Sequence, residues 1–203
     1  IRLSLVGSEM CIRDRSIEIA VEKSDGTLKR LGSTPISPAT YFIGKIGEVF
    51  VTAILQMALL LTVAVVLYKV QLPADAESWG LFAWVFVLGL LSCTLLGIAL
   101  SALPRSGKTA SAVVIPVVLL LQFISGVYIA FSALPEWLQN VAAVFPLKWI
   151  AQGMRAAILP DSFNVSEPGG EWNLGLVAIM LAIWLIAGFI LSRATFRWIR
   201  QSG

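Results

Sequence analysis

The side chains that could do chemistry are few in this chain. Histidine is absent, which removes imidazole acid–base catalysis and imidazole metal ligation. The two cysteines, Cys11 and Cys93, have neither the spacing of a metal site nor the number needed for a disulfide framework. Arg105-Ser106-Gly107-Lys108-Thr109 matches the end of a phosphate-binding loop. The glycine that should open that motif falls on Ala102, and an apolar run precedes it where a strand is required. A short basic loop is the reading that remains. Asn164-Val165-Ser166 has the form of a glycosylation sequon and carries no catalytic chemistry. No residue pattern holds a metal or a cofactor in the chain itself.

Two polar groupings are left. Tyr41, Lys45, Glu48, Thr52 and Gln56 recur every three or four residues, so a helix carries them as one stripe. Lys45 and Glu48 are close enough to pair. The stripe reads either as a polar entrance to a substrate path, as a contact with a coupling region, or as glue between helices, since polar residues in apolar helices usually face protein. Gln122, Ser125 and Gly126 form the second grouping, beyond Pro116, which is placed to kink a helix. Gly89, Ser92, Gly97 and Ser101 are small residues that allow helices to approach closely.

These groups sit in a very apolar chain. Hydrophobic residues are 58% of the 203, charged residues 13%, and the mean hydropathy is +0.86. Soluble domains carry about 25% charged residues, so an ordinary soluble domain is excluded, and so is a disordered chain. The formal charge of +3 is too small to argue for nucleic acid. Uncharged windows run over 49–68, 78–104, 109–135 and 172–192. A spanning helix needs about 20 mostly apolar residues. The windows predict an all-α, polytopic membrane helix bundle with spans near 43–68, 79–103, 110–132 and 173–195. They do not alternate as barrel strands would.

Lysine and arginine set the orientation. Lys23, Lys29, Arg30, Lys45, Arg105, Lys108, Arg193, Arg197 and Arg200 fall on one side of these spans. Lys69, Lys148 and Arg155 fall on the other, among Asp75, Glu77, Glu136, Asp161, Glu167 and Glu171. The first side is expected in the cytoplasm, with both visible termini. The stretch 134–159 lies on the outer side but is too apolar for a free loop. Pro146 splits it into 136–145 and 148–158, with Trp137 and Trp149 as interfacial anchors. Two half-helices dipping into the outer leaflet is the expected form, with Pro135, Trp137, Pro146 and Arg155 marking them.

Leu5 to Arg15 resembles the translation of a transposase-based sequencing-library adaptor. On that reading residues 1–15 are foreign to the fold, 16–41 form a cytoplasmic segment, and 42–198 form the membrane domain. Within the cytoplasmic segment Asp25 to Leu31 has the look of a short surface helix, set off from the first span by Pro35 and Pro38.

Gly26-Thr27-Leu28-Lys29-Arg30-Leu31, followed by Thr34-Pro35 and Gly44-Lys45, resembles the cytoplasmic loop of type-2 ABC exporter permeases of the drug-resistance kind. Ser125-Gly126-Val127-Tyr128, Leu134 to Gln139, Pro146-Leu147 and Arg155 resemble the end of that family's fifth span and its outer re-entrant helices. The resemblance implies that Thr27, Leu28, Lys29, Arg30 and Leu31 dock on a separate ATPase subunit, which would hold the ATP and magnesium. It implies a second permease copy, identical or not, a bilayer in the bacterial plasma membrane, and export of a small molecule, drug or lipid-like substrate. Lys45, Glu48, Thr52, Gln56, Gln122, Ser125 and Gly126 become the candidate substrate path. In that family the coupling helix lies between the second and third spans, so the chain would be roughly the C-terminal two-thirds of such a permease. The four uncharged windows argue against ion-coupled transport, which places ionisable groups near the midplane. A membrane enzyme, or a scaffold or immunity protein without transport, are the rival classes. The first is disfavoured by the absence of histidine and of paired carboxylates within the spans; the second would need no coupling helix.

Overall fold

The computed structural model describes residues 16–22, 25, 38–69, 73, 75–101, 107–126, 131–160, 167 and 170–201. Every regular element among them is helical. A short helix over 16–22 (α1) is followed by α2 (Pro38–Tyr68), α3 (Ala76–Leu100) and α4 (Gly107–Ile124). A 3-10 turn at Phe131–Ala133 then leads to α5 (Glu136–Val144), α6 (Pro146–Ile158) and α7 (Leu174–Gln201).

A helix that is apolar on every side belongs in the middle of a bundle, and α3 is such a helix. It packs mainly on α6 and α7, and buries Val85, Leu90, Cys93 and Ile98. Within its most apolar window 56% of residues are buried, against 17% in those of α2 and α7, so the latter two form the rim. Their outward faces are apolar, with Leu55, Leu59 and Val66 on α2 and Ile183, Ile186 and Ile190 on α7 exposed. Three stretches, Ile43–Tyr68, Ala76–Leu100 and Leu174–Ser192, are long and apolar enough to cross a membrane, and Thr109–Ile124 is a shorter apolar helix. The chain is a polytopic helical membrane protein.

The close packing of α3 and α7 depends on a missing side chain. A Cβ at Gly188 would lie 2.9 Å from Leu95 Cβ and 3.5 Å from the Leu95 backbone. One turn of α3 away, Ser92 Oγ donates to the Leu181 carbonyl at 3.2 Å. Gly89 faces Ile150 of α6. The small residues of α3 are therefore contact points, as apolar helices without a hydrophobic drive between them require.

The third long apolar window does not run as far as its composition suggests. A span was expected over 110–132, but α4 stops at Ile124. Ser125 still donates its N–H to Leu121 at 3.0 Å, and Gly126 then turns left-handed at φ 82°. Glycine takes that conformation without a Cβ penalty and ends helices for that reason. The 18 residues of α4 measure about 27 Å at 1.5 Å per residue. Pro116 lies inside the helix.

α5 and α6 meet at Phe145, whose φ of −87° and ψ of 147° are extended. A residue before proline is pushed out of the α region, and Pro146 at the first turn of α6 loses no N–H that a helix would use. The last carbonyls of α5 would be orphaned at this break. Two indoles fill the need: Trp149 Nε1 donates to Ala143 O at 2.7 Å and Trp184 Nε1 to Val144 O at 2.6 Å. Trp149 is thus buried at 8% exposure, not an interfacial anchor, whereas Trp137 is 67% exposed. The α5 entry is held by Pro135, whose carbonyl accepts the N–H groups of Leu138 and Gln139.

Candidate functional site

Polar side chains gather at two opposite ends of the bundle. The first gathering lies where α3 ends and α2 begins. Lys45 on α2 is ion-paired to Glu18, to Glu22 at 2.9 Å and to Glu48 at 3.8 Å, and its side chain is only 11% exposed. Glu18 and Glu22 stand four residues apart on α1, so one face of that short helix presents both carboxylates. The same helix is tied to α3, since Ser16 Oγ donates to the Gly97 carbonyl at 2.9 Å and Ile19 packs with Leu95 and Ile98. α1 therefore bridges α2 and α3.

The expected path stripe on α2 divides here. Lys45 and Glu48 do pair, but the chief partners of Lys45 are on α1. Thr52 is exposed, and its Oγ1 donates back to the Glu48 carbonyl at 2.9 Å and to Val49 O at 3.1 Å. Gln56 is half-buried one turn further along. Asp25 is a turn residue, its N–H on the Val21 carbonyl at 2.9 Å. Thr27, Leu28, Lys29, Arg30 and Leu31 lie outside the described residues. The clamp at Lys45 joins the two helices that flank them.

The second gathering lies at the other end, beside the start of α3. Lys148, Gln152 and Arg155 sit at i, i+4 and i+7 on α6, so they share a face. Gly153, on the next position round, is wedged between Val85 of α3 and Val177 of α7. Arg155 Nη1 donates to the Gly126 carbonyl at 3.2 Å and so holds the end of α4. Its Nη2 is 2.6 Å from Glu167 Oε1. That contact is an ion pair by distance without an aligned hydrogen bond, which leaves Arg155 Nε and Nη2 without acceptors. Glu167 Oε2 and Gln122 Oε1 are likewise buried and unpartnered. Ser125 Oγ donates to the Gln122 carbonyl at 3.1 Å.

Lys148 is the most unusual member. It is 4% exposed. Its ammonium is bonded to Gln152 Oε1 and lies 3.8 Å from the Trp149 ring centroid and 5.1 Å from that of Phe131. Gln152 Nε2 passes the chain on to the Trp172 carbonyl at 2.7 Å. Burial pushes Lys148 down to about 8, with Glu167 opposing the shift and Arg155 adding to it. Sequence reasoning singled out Arg155, Gln122, Ser125 and Gly126, and the structure brings all four into one neighbourhood. It missed Lys148, Gln152 and Glu167, although the 148–152–155 spacing was there to be read.

Among the described residues no three Cys, Asp or Glu side chains gather as a metal site. What the chain offers is a helical body with apolar outer faces, a carboxylate clamp at one end and a buried cationic cluster at the other. A family model for ABC-2 family transporter proteins matches residues 10–192. The chain belongs to the ABC-2 transporter family. The match opens inside the adaptor-like run, at residue 10. Among related ABC-2 proteins, one of Escherichia coli strain K12 named as a multidrug ABC transporter permease, YbhR, is 26% identical over 147 residues, covering 72% of this chain and 39% of that protein. Proteins named as transport permeases, ycf38, of Porphyra purpurea and Pyropia yezoensis are 24% and 25% identical over 182 residues. Those matches cover 87% of this chain and 62% of each relative. The chain thus spans between about two-fifths and three-fifths of the length of these ABC-2 relatives.

Proposed function

We propose that the chain is part of the transmembrane subunit of an ATP-driven exporter that moves a drug-like or lipid-like molecule out across the bacterial plasma membrane. The observation that carries this reading is the ABC-2 match, which covers α1 to α6 and α7 as far as residue 192. The sequence agrees, because the windows 49–68, 78–104, 109–135 and 172–192 contain no charged residue that could couple transport to an ion gradient. Energy then enters from a separate ATPase, which holds ATP and magnesium, and this chain is no enzyme. Thr27, Leu28, Lys29, Arg30 and Leu31 dock on it. The push reaches α2 and α3 together, because α1 is clamped to both. Lys45, Glu48, Thr52 and Gln56 lie at the cytoplasmic mouth, Gln122, Ser125 and Gly126 near the outer one, and the outer helix pair from Pro135 and Trp137 through Pro146 to Arg155 closes that side. A second permease copy completes the path.

The test is reconstitution of the complete permease with its ATPase in vesicles, followed by release of a preloaded fluorescent amphiphile. ATP should drive release with the native ATPase and fail to do so with a hydrolysis-dead one. ATP-independent release, or none together with failure of the two subunits to co-purify, would favour a scaffold role.

A further inference from the structure

We propose that the cluster around Lys148 is a binding station for the anionic headgroup of an amphiphile, the outer stop on the route described above. The proposal rests on the export reading for its place in the route, while the binding chemistry stands on the cluster itself.

The first reason is an unbalanced charge. Lys148 is almost fully buried, and a buried ammonium is costly unless a carboxylate and hydrogen bonds compensate it. Among the described residues no carboxylate forms an ion pair with it, and the one nearby, Glu167, is taken by Arg155 at 2.6 Å. Among the described residues two cations therefore share one anion. The second reason is unused hydrogen-bonding capacity. An ammonium has three N–H groups, and among the described residues the single acceptor of Lys148 is Gln152 Oε1. Arg155 adds an Nε with no acceptor among the described residues. Donors left over around a surplus positive charge are what a phosphate or carboxylate would satisfy.

The third reason is the setting. The Trp149 and Phe131 rings stand against the ammonium, and Leu147 and Ile150 are buried on either side. Aromatic faces alone would suit an organic cation, but here Lys148 already occupies them, and a second cation would meet like charge. An anion on an apolar tail fits both the charge and the walls. The fourth reason is that stability does not call for the lysine. An apolar side chain of similar length would fill the space without the desolvation penalty, as buried charged groups in other folds illustrate.

Binding is measured on the purified chain in neutral maltoside micelles through tryptophan emission, since Trp149 touches the ammonium. Dodecyl phosphate should give a saturable change, inorganic phosphate a much weaker one, and dodecyltrimethylammonium none beyond micelle partitioning. Lys148→Met should weaken dodecyl phosphate by about tenfold or more, as loss of one partner of a buried charge contact does, while the unfolding temperature holds or rises. Lys148→Gln, which keeps a polar group without the charge, should weaken it similarly. An equal response to the cationic probe, equal saturation by inorganic phosphate alone, or unchanged affinity in both variants would overturn the proposal. No ATPase is present, so failure here leaves the export reading standing, and failure of export leaves this binding measurable.

Discussion

Lys45 shows how one side chain can set the arrangement of three helices. Its ammonium draws Glu18 and Glu22 of α1 against α2, while Ser16 fastens the same helix to α3. Replacing it by methionine leaves two carboxylates facing each other four residues apart. Because both are part-exposed, the loss is modest, about 1–2 kcal/mol, and should appear as a lower unfolding temperature. Glu22→Gln should cost less, since Glu18 keeps its pair; equal losses would mean that Glu18 contributes nothing. Lys148 gives a pH signature. It lies on α6, outside the spanning helices, and its folded value near 8 is below the ordinary 10.5. Between those values the unfolded chain holds a proton that the folded chain has released, so stability rises as pH rises through that window. Thermal midpoints across that range should climb in the native chain relative to Lys148→Met. Parallel curves would place the lysine in water.

At the scale of elements, α6 is the keystone, and Gly153 is what lets it sit between α3 and α7. A Cβ there would lie 2.9 Å from both Val85 methyls and 3.2 Å from Val177 Cγ1. Valine is stiff at χ1 and cannot swing aside, so Gly153→Val should overpack the junction at about 1–3 kcal/mol. The check is the loss of monodisperse elution on mild heating, with Gly175→Val, where a Cβ meets nothing within 4 Å, as the comparison. Similar behaviour of the two variants would show that α6 can shift freely. The long apolar helices could be read from composition, because a bilayer-length uncharged run has few other uses. The break at Phe145–Pro146 was readable too, because proline acts locally. The early end of α4 was not, because only a left-handed backbone at Gly126, braced by Arg155 from α6, distinguishes it from continued helix. The clamp was further out of reach. Glu18 and Glu22 lie 27 and 23 residues from Lys45 and carry no local pattern that names their partner.

For the whole molecule, the basic end and the outer end differ in charge and in chemistry. Facing the basic end to the cytoplasm places Glu77, exposed at the start of α3, outside, and Lys108 inside. In a Cys93→Ser background, an impermeant thiol reagent added to intact cells should label Glu77→Cys and not Lys108→Cys; the reverse pattern would invert the membrane orientation. The α2 helix of 31 residues is about 46 Å long, more than the hydrocarbon layer needs, so on the proposed reading its Lys45 end would extend to the aqueous side, where an ATPase would act. The decisive measurement concerns that partner. In the complete permease, Leu28→Asp and Lys29→Ala are compared for co-purification with the ATPase and for substrate-stimulated ATP hydrolysis. Loss of a buried apolar anchor can cost about 2 kcal/mol or more, while an exposed charge at the edge costs little. Docking at residues 27–31 therefore predicts that Leu28→Asp loses both the complex and the stimulation, and that Lys29→Ala largely keeps them. If Leu28→Asp retains both at native levels, the segment is a surface anchor on the lipid headgroups and the drive must enter elsewhere.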